Sequence, residues 1–174
     1  MESPASRSEP HARPGLRQQL FLLFRIAADR YALDAREVVE VMPLRRLKQL
    51  PGAPPWVAGV LSHRGHTIPV IDLGLRVGLP APRHMTSTRL VLVNYQRAGT
   101  GEAPALLGLI LAQATDSLRC RVEDFQDYGL DSRETPYLGP VLHHAQGLIQ
   151  RITVAALLPD EVHALLLPAG GAPA

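Results

Sequence analysis

The sequence has 174 residues, 46% of them hydrophobic and 20% charged, with a mean hydropathy of +0.02. That length suits one domain or two small modules sharing a core, and it buries roughly 70% of the unfolded surface, so no disulfide or metal staple is needed. The single cysteine, Cys120, excludes an internal disulfide framework and a cysteine-only zinc site, and the longest apolar stretch, 103–112, is about half a membrane span, so a cytoplasmic chain without direct membrane insertion is expected.

The formal charge is +2 and the pI about 9.0. Lys48 is the one lysine among 18 basic residues, and the arginines scatter along the chain among 16 acids. A surface for nucleic acid clusters its cations on one face to neutralise phosphates. Arg45, Arg46 and Lys48 form the only tight group, and the few aromatic residues show no stacking platform. No nucleic-acid partner is expected; a small nucleic-acid-binding β-barrel served by that group is the alternative.

Residues 1–19 are rich in Pro, Ser and Arg and read as a disordered tail. Phe21 to Ile26 and Tyr31 to Leu33 then read as two strands around a tight turn. Asp34 can cap one helical turn, Ala35 to Val38, before an extended piece from Val39 to Met42 that Pro43 ends. The prolines of 50–55 mark a loop, with Pro55 placed to start a short helix carrying Trp56 and Val57. Gly59 to Leu61 and Thr67 to Ile71 read as strands flanking a turn, and Asp72 can cap a helix from Leu73 to Val77.

Arg89 to Tyr95 is a nearly all-apolar strand, followed by a flexible loop over 96–104 and a returning strand over 105–112. Asp116 to Val122 alternates well enough for a further, separate strand. Residues 122–136 hold five acids against Arg133 and read as a solvated loop. Tyr137 to Leu142 and Leu148 to Ile152 are short strands, Thr153 caps a turn, and Pro159-Asp160-Glu161 opens a helix with Val162, Leu165 and Leu166 as its apolar stripe. Many short strands with brief helices predict an all-β, barrel-like protein.

No reaction centre emerges. His63 and His66 lie on a predicted turn and His143 and His144 are adjacent, neither in a metal-ligand pattern. Ser62-His63 is not a catalytic pair, and Gly99-x-Gly101 lacks the Lys-Ser/Thr of a phosphate loop. No catalytic residue, metal or cofactor is expected, and a binding protein is favoured over an enzyme. The most informative stretch is 50–73, where Gly65 after Arg64 points to a turn needing positive φ. Arg64 is then either held at the tip of that turn for recognition or is an ordinary surface arginine.

The segment GVLSHRGHTIPVIDL (Gly59 to Leu73) resembles the GVxNxRGxxxPVxDL segment of CheW-like coupling proteins, the adaptors of bacterial chemotaxis-type arrays. FLLFRIAADRYALDAREVVEV, LVLV…LLGLILAQATDSL and YLGPVLHHAQGLIQRITVAALL resemble the family's opening, hairpin and closing segments, so the likeness runs in order over about 20–160. Ser62 stands where the family usually has Asn, and Gln113 where it usually has Asp.

The resemblance implies two SH3-like five-stranded β-barrel subdomains sharing a core within 20–168, subdomain 1 over about 35–90 and subdomain 2 over about 91–150 plus the N-terminal strands, with a C-terminal tail over 169–174. It implies a cytoplasmic, array-associated adaptor between a chemoreceptor signalling tip and a CheA-type histidine kinase, with no cofactor. By position, Val38 and Glu40 match the family's receptor-binding VxE motif and Arg64 its xRG turn, with Gly65 as the structural turn residue. The Arg-rich tail is most similar to scaffolds of Wsp-type surface-sensing systems, which feed cyclic-di-GMP synthesis.

Overall fold

The computed structural model describes residues 17–80, 85–129 and 133–169. Apart from residues 17–19, the expected N-terminal tail lies outside them, as do residues 170–174 of the expected C-terminal tail. Ten strands and two short α-helices follow in chain order. The strands are β1 (Gln19–Ile26), β2 (Asp29–Asp34), β3 (Val38–Pro43), β4 (Val57–His63), β5 (His66–Asp72), β6 (Arg89–Tyr95), β7 (Ala105–Cys120), β8 (Phe125–Gln126), β9 (Leu138–His144) and β10 (Gly147–Ile152). Helix α1 (Leu73–Arg76) follows β5, and α2 (Asp160–Leu166) closes the described chain.

Strand pairing builds two barrels on one shared strand. The first half of β7 pairs antiparallel with β6 and parallel with β5, and β3 and β4 extend that sheet. Reciprocal backbone bonds between Lys48 and Val60, 2.9 and 2.8 Å, tie the segment after β3 to β4. The second half of β7 pairs with β1, which continues through β2, β10 and β9 to the two-residue β8. The expected separate strands over 105–112 and 116–122 are therefore one strand, bent at Gln113, whose φ is +49°. The changeover between barrels falls at this bend rather than near residue 90, because β6 and the first half of β7 complete the barrel of β3 to β5.

Period-two alternation distributes the apolar side chains among three clusters. Met42, Ile68, Val70, Leu90 and Leu92 fill the first barrel. Phe21, Leu23, Ala32, Leu142 and Ile149 fill the second. Their opposite-face neighbours, including Phe24, Ile26, Val91, Val93, Leu107 and Leu109, meet in a larger central cluster between the barrels. Arg76 clamps that junction. Its guanidinium lies 4.9 Å from the Trp56 ring and 4.5 Å from the Tyr137 ring, and its Nε donates to the Leu157 carbonyl at 3.2 Å. Such cation–π contacts contribute about 0.5–2 kcal/mol, more as the cation is desolvated.

Local signals explain the termini. Asp72 caps α1 by accepting from the Leu75 N–H at 3.2 Å. No helix forms at Pro55: residues 54–57 make a turn closed by Val57 N–H to the Pro54 carbonyl, and Val57 already begins β4. Thr153 makes no side-chain cap. In α2, Val162 is buried as expected, but Leu165 is exposed and His163 is buried in its stead. The loop over 96–104 is tied to α2 by an Arg97–Asp160 ion pair and by Glu102 against His163 at 3.3 Å.

Two glycines hold the β4–β5 hairpin in different ways. Gly65 and Arg64 both take positive φ, +79° and +49°, the geometry of a two-residue hairpin turn. A Cβ on Gly65 meets nothing within 4 Å, whereas one on Gly59 (φ +136°) would stand 2.3 Å from the Lys48 carbonyl oxygen and break the bridge that ties β4 to the segment after β3. Gly65→Ala is expected to cost about 1–2 kcal/mol through backbone strain alone. Gly59→Ala adds the clash with the Lys48 carbonyl and the loss of the Lys48–Val60 bridge, and is expected to cost about 3 kcal/mol or more. Guanidinium denaturation of both variants checks the order; equal costs would mean that the close approach at Gly59 relaxes freely.

Candidate functional site

The site begins with a buried carboxylate. Asp34 ends β2 at 2% exposure, and its Oδ1 accepts from the Arg36 N–H at 2.9 Å while its carbonyl takes the Glu37 N–H at 3.0 Å. The Arg36 guanidinium stands 2.9 Å from Oδ2, and Arg151 reaches the same oxygen from β10 at 3.4 Å. This turn redirects the chain from the second barrel into β3 of the first. Burial works against the Asp34 charge, but the hydrogen bonds and charge of Arg36, with Arg151, outweigh it and hold its pKa below the ordinary carboxylate value. Glu37 shifts the opposite way, pushed up by burial and then by the charge of Asp34.

β3 enters against β6 with a bulge: Val38 faces Val93, and Glu40 faces Leu92. The extra residue re-aims the side chains around it. Glu40 is thereby set against the β4–β5 hairpin, its Oε2 lying 3.0 Å from His63 Nε2 and 3.4 Å from the Arg64 guanidinium. With the proton on Nε2, His63 donates to this carboxylate. The His63 side chain is 11% exposed, and that of Arg64 is 74% exposed. The turn thus places a free-reaching arginine beside a carboxylate that His63 already anchors. An exposed ion pair of this kind contributes about 0–1 kcal/mol to stability, so the pair costs the fold little if a partner rearranges it.

Of the residues singled out in the sequence, Glu40 and Arg64 meet directly and Gly65 completes the turn beneath them. Val38 is different. It is half-buried and packs on the central cluster, so the exposed apolar side chains of β3 are Val39 and Val41, at 49% and 45%. On β3, positions 39 and 41 share a face opposite that of Glu40, as period-two alternation dictates. His63 gave no such signal, because its partner lies 23 residues away in sequence and is brought near only by barrel closure. Among the described residues no group of three or more His, Cys, Asp and Glu side chains is placed to hold a metal ion. No helix among them is long and apolar enough to cross a membrane.

Two barrels sharing one core, with a carboxylate and an arginine paired at a hairpin tip, define a class of small two-barrel β scaffold. Residues 20–162 match the CheW-like domain family, and the chain belongs to that family. The chemotaxis protein CheW of Bacillus subtilis is 29% identical over 80 residues, 46% of this chain and 51% of that protein. Protein FrzA of Myxococcus xanthus is 39% identical over 62 residues, covering 36% of this chain and 37% of FrzA. Protein PilI of Pseudomonas aeruginosa is 26% identical over 125 residues, covering 71% of this chain and 66% of PilI. The chain spans about half the length of the Bacillus relative it matches. The crystal structure of the scaffolding protein TtCheW from Thermoanaerobacter tengcongensis superposes with a TM-score of 0.70 at 22% identity, covering 81% of this chain and 92% of that one. The likeness establishes the fold as two SH3-like β-barrel subdomains.

The turn that launches β3 carries a pH signature. A depressed pKa in the folded state means that Asp34 stabilises the fold above the unfolded carboxylate value and loses that contribution as pH falls through the folded value. Glu37, shifted upward, contributes with the opposite sign. Asp34→Asn is expected to lower stability at pH 7 by about 1–3 kcal/mol, and to flatten the acid limb below about pH 4. Urea unfolding from pH 7 to pH 3 measures both; an unchanged acid limb would mean the Asp34 charge is not linked to folding.

Proposed function

We propose that the chain is a non-catalytic adaptor that couples the signalling tip of a chemoreceptor to a CheA-type histidine kinase in a chemotaxis-like array. The observation that carries this reading is the meeting of Glu40 and Arg64, 3.4 Å apart, from two segments that match the family's receptor-binding motif only by position. Val39 and Val41 add exposed apolar area on the other face of the same strand, which an amphipathic receptor helix reaching over β3 can use. Val38, half-buried against the core, sets the strand from beneath rather than meeting the receptor as a free side chain.

The work of such a protein is positional. Holding receptor and kinase in one lattice gives many weak contacts a high effective concentration, and charge complementarity at Glu40 and Arg64 selects the partner. By the resemblance of its tail, the array is of a surface-sensing kind with cyclic-di-GMP output, acting in the cytoplasm beside membrane receptors.

Glu40→Ala and Arg64→Ala are each expected to weaken receptor-tip binding by about 1–3 kcal/mol while kinase binding survives. Val39→Asp is expected to do the same through the apolar contact. Pull-downs against receptor tip and kinase separately, with a thermal melt as control, measure this. Equal loss of both partners with a lowered melting temperature would make the residues structural, and unchanged receptor binding would remove this surface from the account.

A further inference from the structure

The second barrel carries an arginine pair that its own fold does not neutralise. Arg25 on β1 and Arg30 on β2 are register partners across the hairpin. Both share the face of Leu23 and Ala32 at the open end of the barrel, where Arg25 is exposed and Arg30 half-buried. Like charges directly opposite on paired strands destabilise the pair unless something lies between them. Among the described residues neither arginine forms an ion pair with a protein carboxylate. Arg30 Nη1 is buried and meets no protein acceptor, and a guanidinium donor in that state is costly.

Both arginines line one cleft of about 300 Å³, together with Ser87, Gln113, Thr115 and Asp116. Its wall is the bend of β7. Between Leu23–Asp116 and Arg25–Ala112 the register with β1 slips, so that 113–115 oppose a single residue of β1. Gln113 holds φ +49° there, a left-handed conformation that a residue other than glycine adopts at a cost. Bulges of this kind concentrate where a strand re-aims side chains toward a site. The cleft therefore joins two unpaired guanidinium groups with neutral hydrogen-bonding side chains. Among the described residues Asp116 is the one carboxylate that lines it, and these three groups sum to a charge of +1.

We propose that this cleft binds an oxyanion, a phosphate or a carboxylate, between Arg25 and Arg30, with Gln113, Thr115 and Ser87 supplying neutral hydrogen bonds and Asp116 selecting for a neighbouring hydroxyl or amine. The planar guanidinium forks match the geometry of either anion. The arginines of the cleft stand on β1 and β2, whereas Glu40 and Arg64 stand on β3 and the β4–β5 turn and do not line it, and the proposal stands whether or not that pair meets a receptor. The same chemistry arrives either as a free small anion or as the acidic side chain of a protein.

The test titrates the intact chain with inorganic phosphate, with citrate and with a Glu-rich peptide at constant ionic strength held by chloride. Arginine Nε–H NMR signals and calorimetry report binding, alongside Arg25→Gln and Arg30→Gln. Saturable shifts of the Arg25 and Arg30 signals are expected, with affinity at least about tenfold weaker in Arg30→Gln. Saturation by phosphate or citrate identifies a free anion as the source, and saturation by the peptide alone identifies an acidic segment. In chloride, Arg25→Gln is also expected to raise the melting temperature by removing the like-charge pair, and phosphate or citrate to raise that of the native chain but not of the variant. Absence of saturation with all three probes, or equal responses in the native chain and both variants, would overturn the proposal.

Discussion

The fold depends on β7 serving two sheets at once. Its 16 residues run through both barrels, and the bend at Gln113 passes the strand from one to the other. Leu107, Leu109 and Leu111 before the bend and Ala114 after it all sit in the central cluster, so the strand that connects the barrels also supplies their common core. Neither barrel keeps its complement of strands without β7. Because the two sheets share a backbone ladder, relative motion of the barrels would break hydrogen bonds and open apolar packing together.

That constraint gives the surface around Glu40 and Arg64 its rigidity. β3 has few residues and lies at the end of its sheet, but it is held by β6 on one side and launched by the buried Asp34 turn. Arg151, from β10 of the other barrel, meets the same carboxylate. The position of Glu40 is therefore set from both barrels, although its side chain pairs with His63 and Arg64 of the β4–β5 hairpin. A small scaffold can present residues with fixed spacing only if its strands cannot shift register, and the bulges at β3 and β4 pin that register.

Much of this was legible in the sequence, for physical reasons that differ by element. The hairpin of β1 and β2, the nearly all-apolar β6 and the Asp72 cap each announce themselves through local composition, and local composition is what forms them. β7 does not: the small and polar run Ala112-Gln113-Ala114 interrupts its apolar pattern and reads as a break, yet the pairing continues past it because both sheets need the strand. Leu165 reads as part of an apolar stripe, but the loop over 96–104 packs Glu102 on His163 and turns that face inward instead. Glu40 was legible only through family resemblance, and Arg64 without it only as a turn-tip arginine with two open readings. Their contact depends on barrel closure, which no local pattern encodes, and the same is true of His63.

Native-state hydrogen exchange along β7 tests the central claim most directly, because the claim is that one strand makes two barrels a single cooperative unit. With increasing denaturant, amides paired to β6 at Leu107 and Leu109 and those paired to β1 at Leu118 and Cys120 are expected to merge onto one global unfolding isotherm. Two separate isotherms, with the β1-paired amides opening at markedly lower free energy than the β6-paired ones, would contradict it.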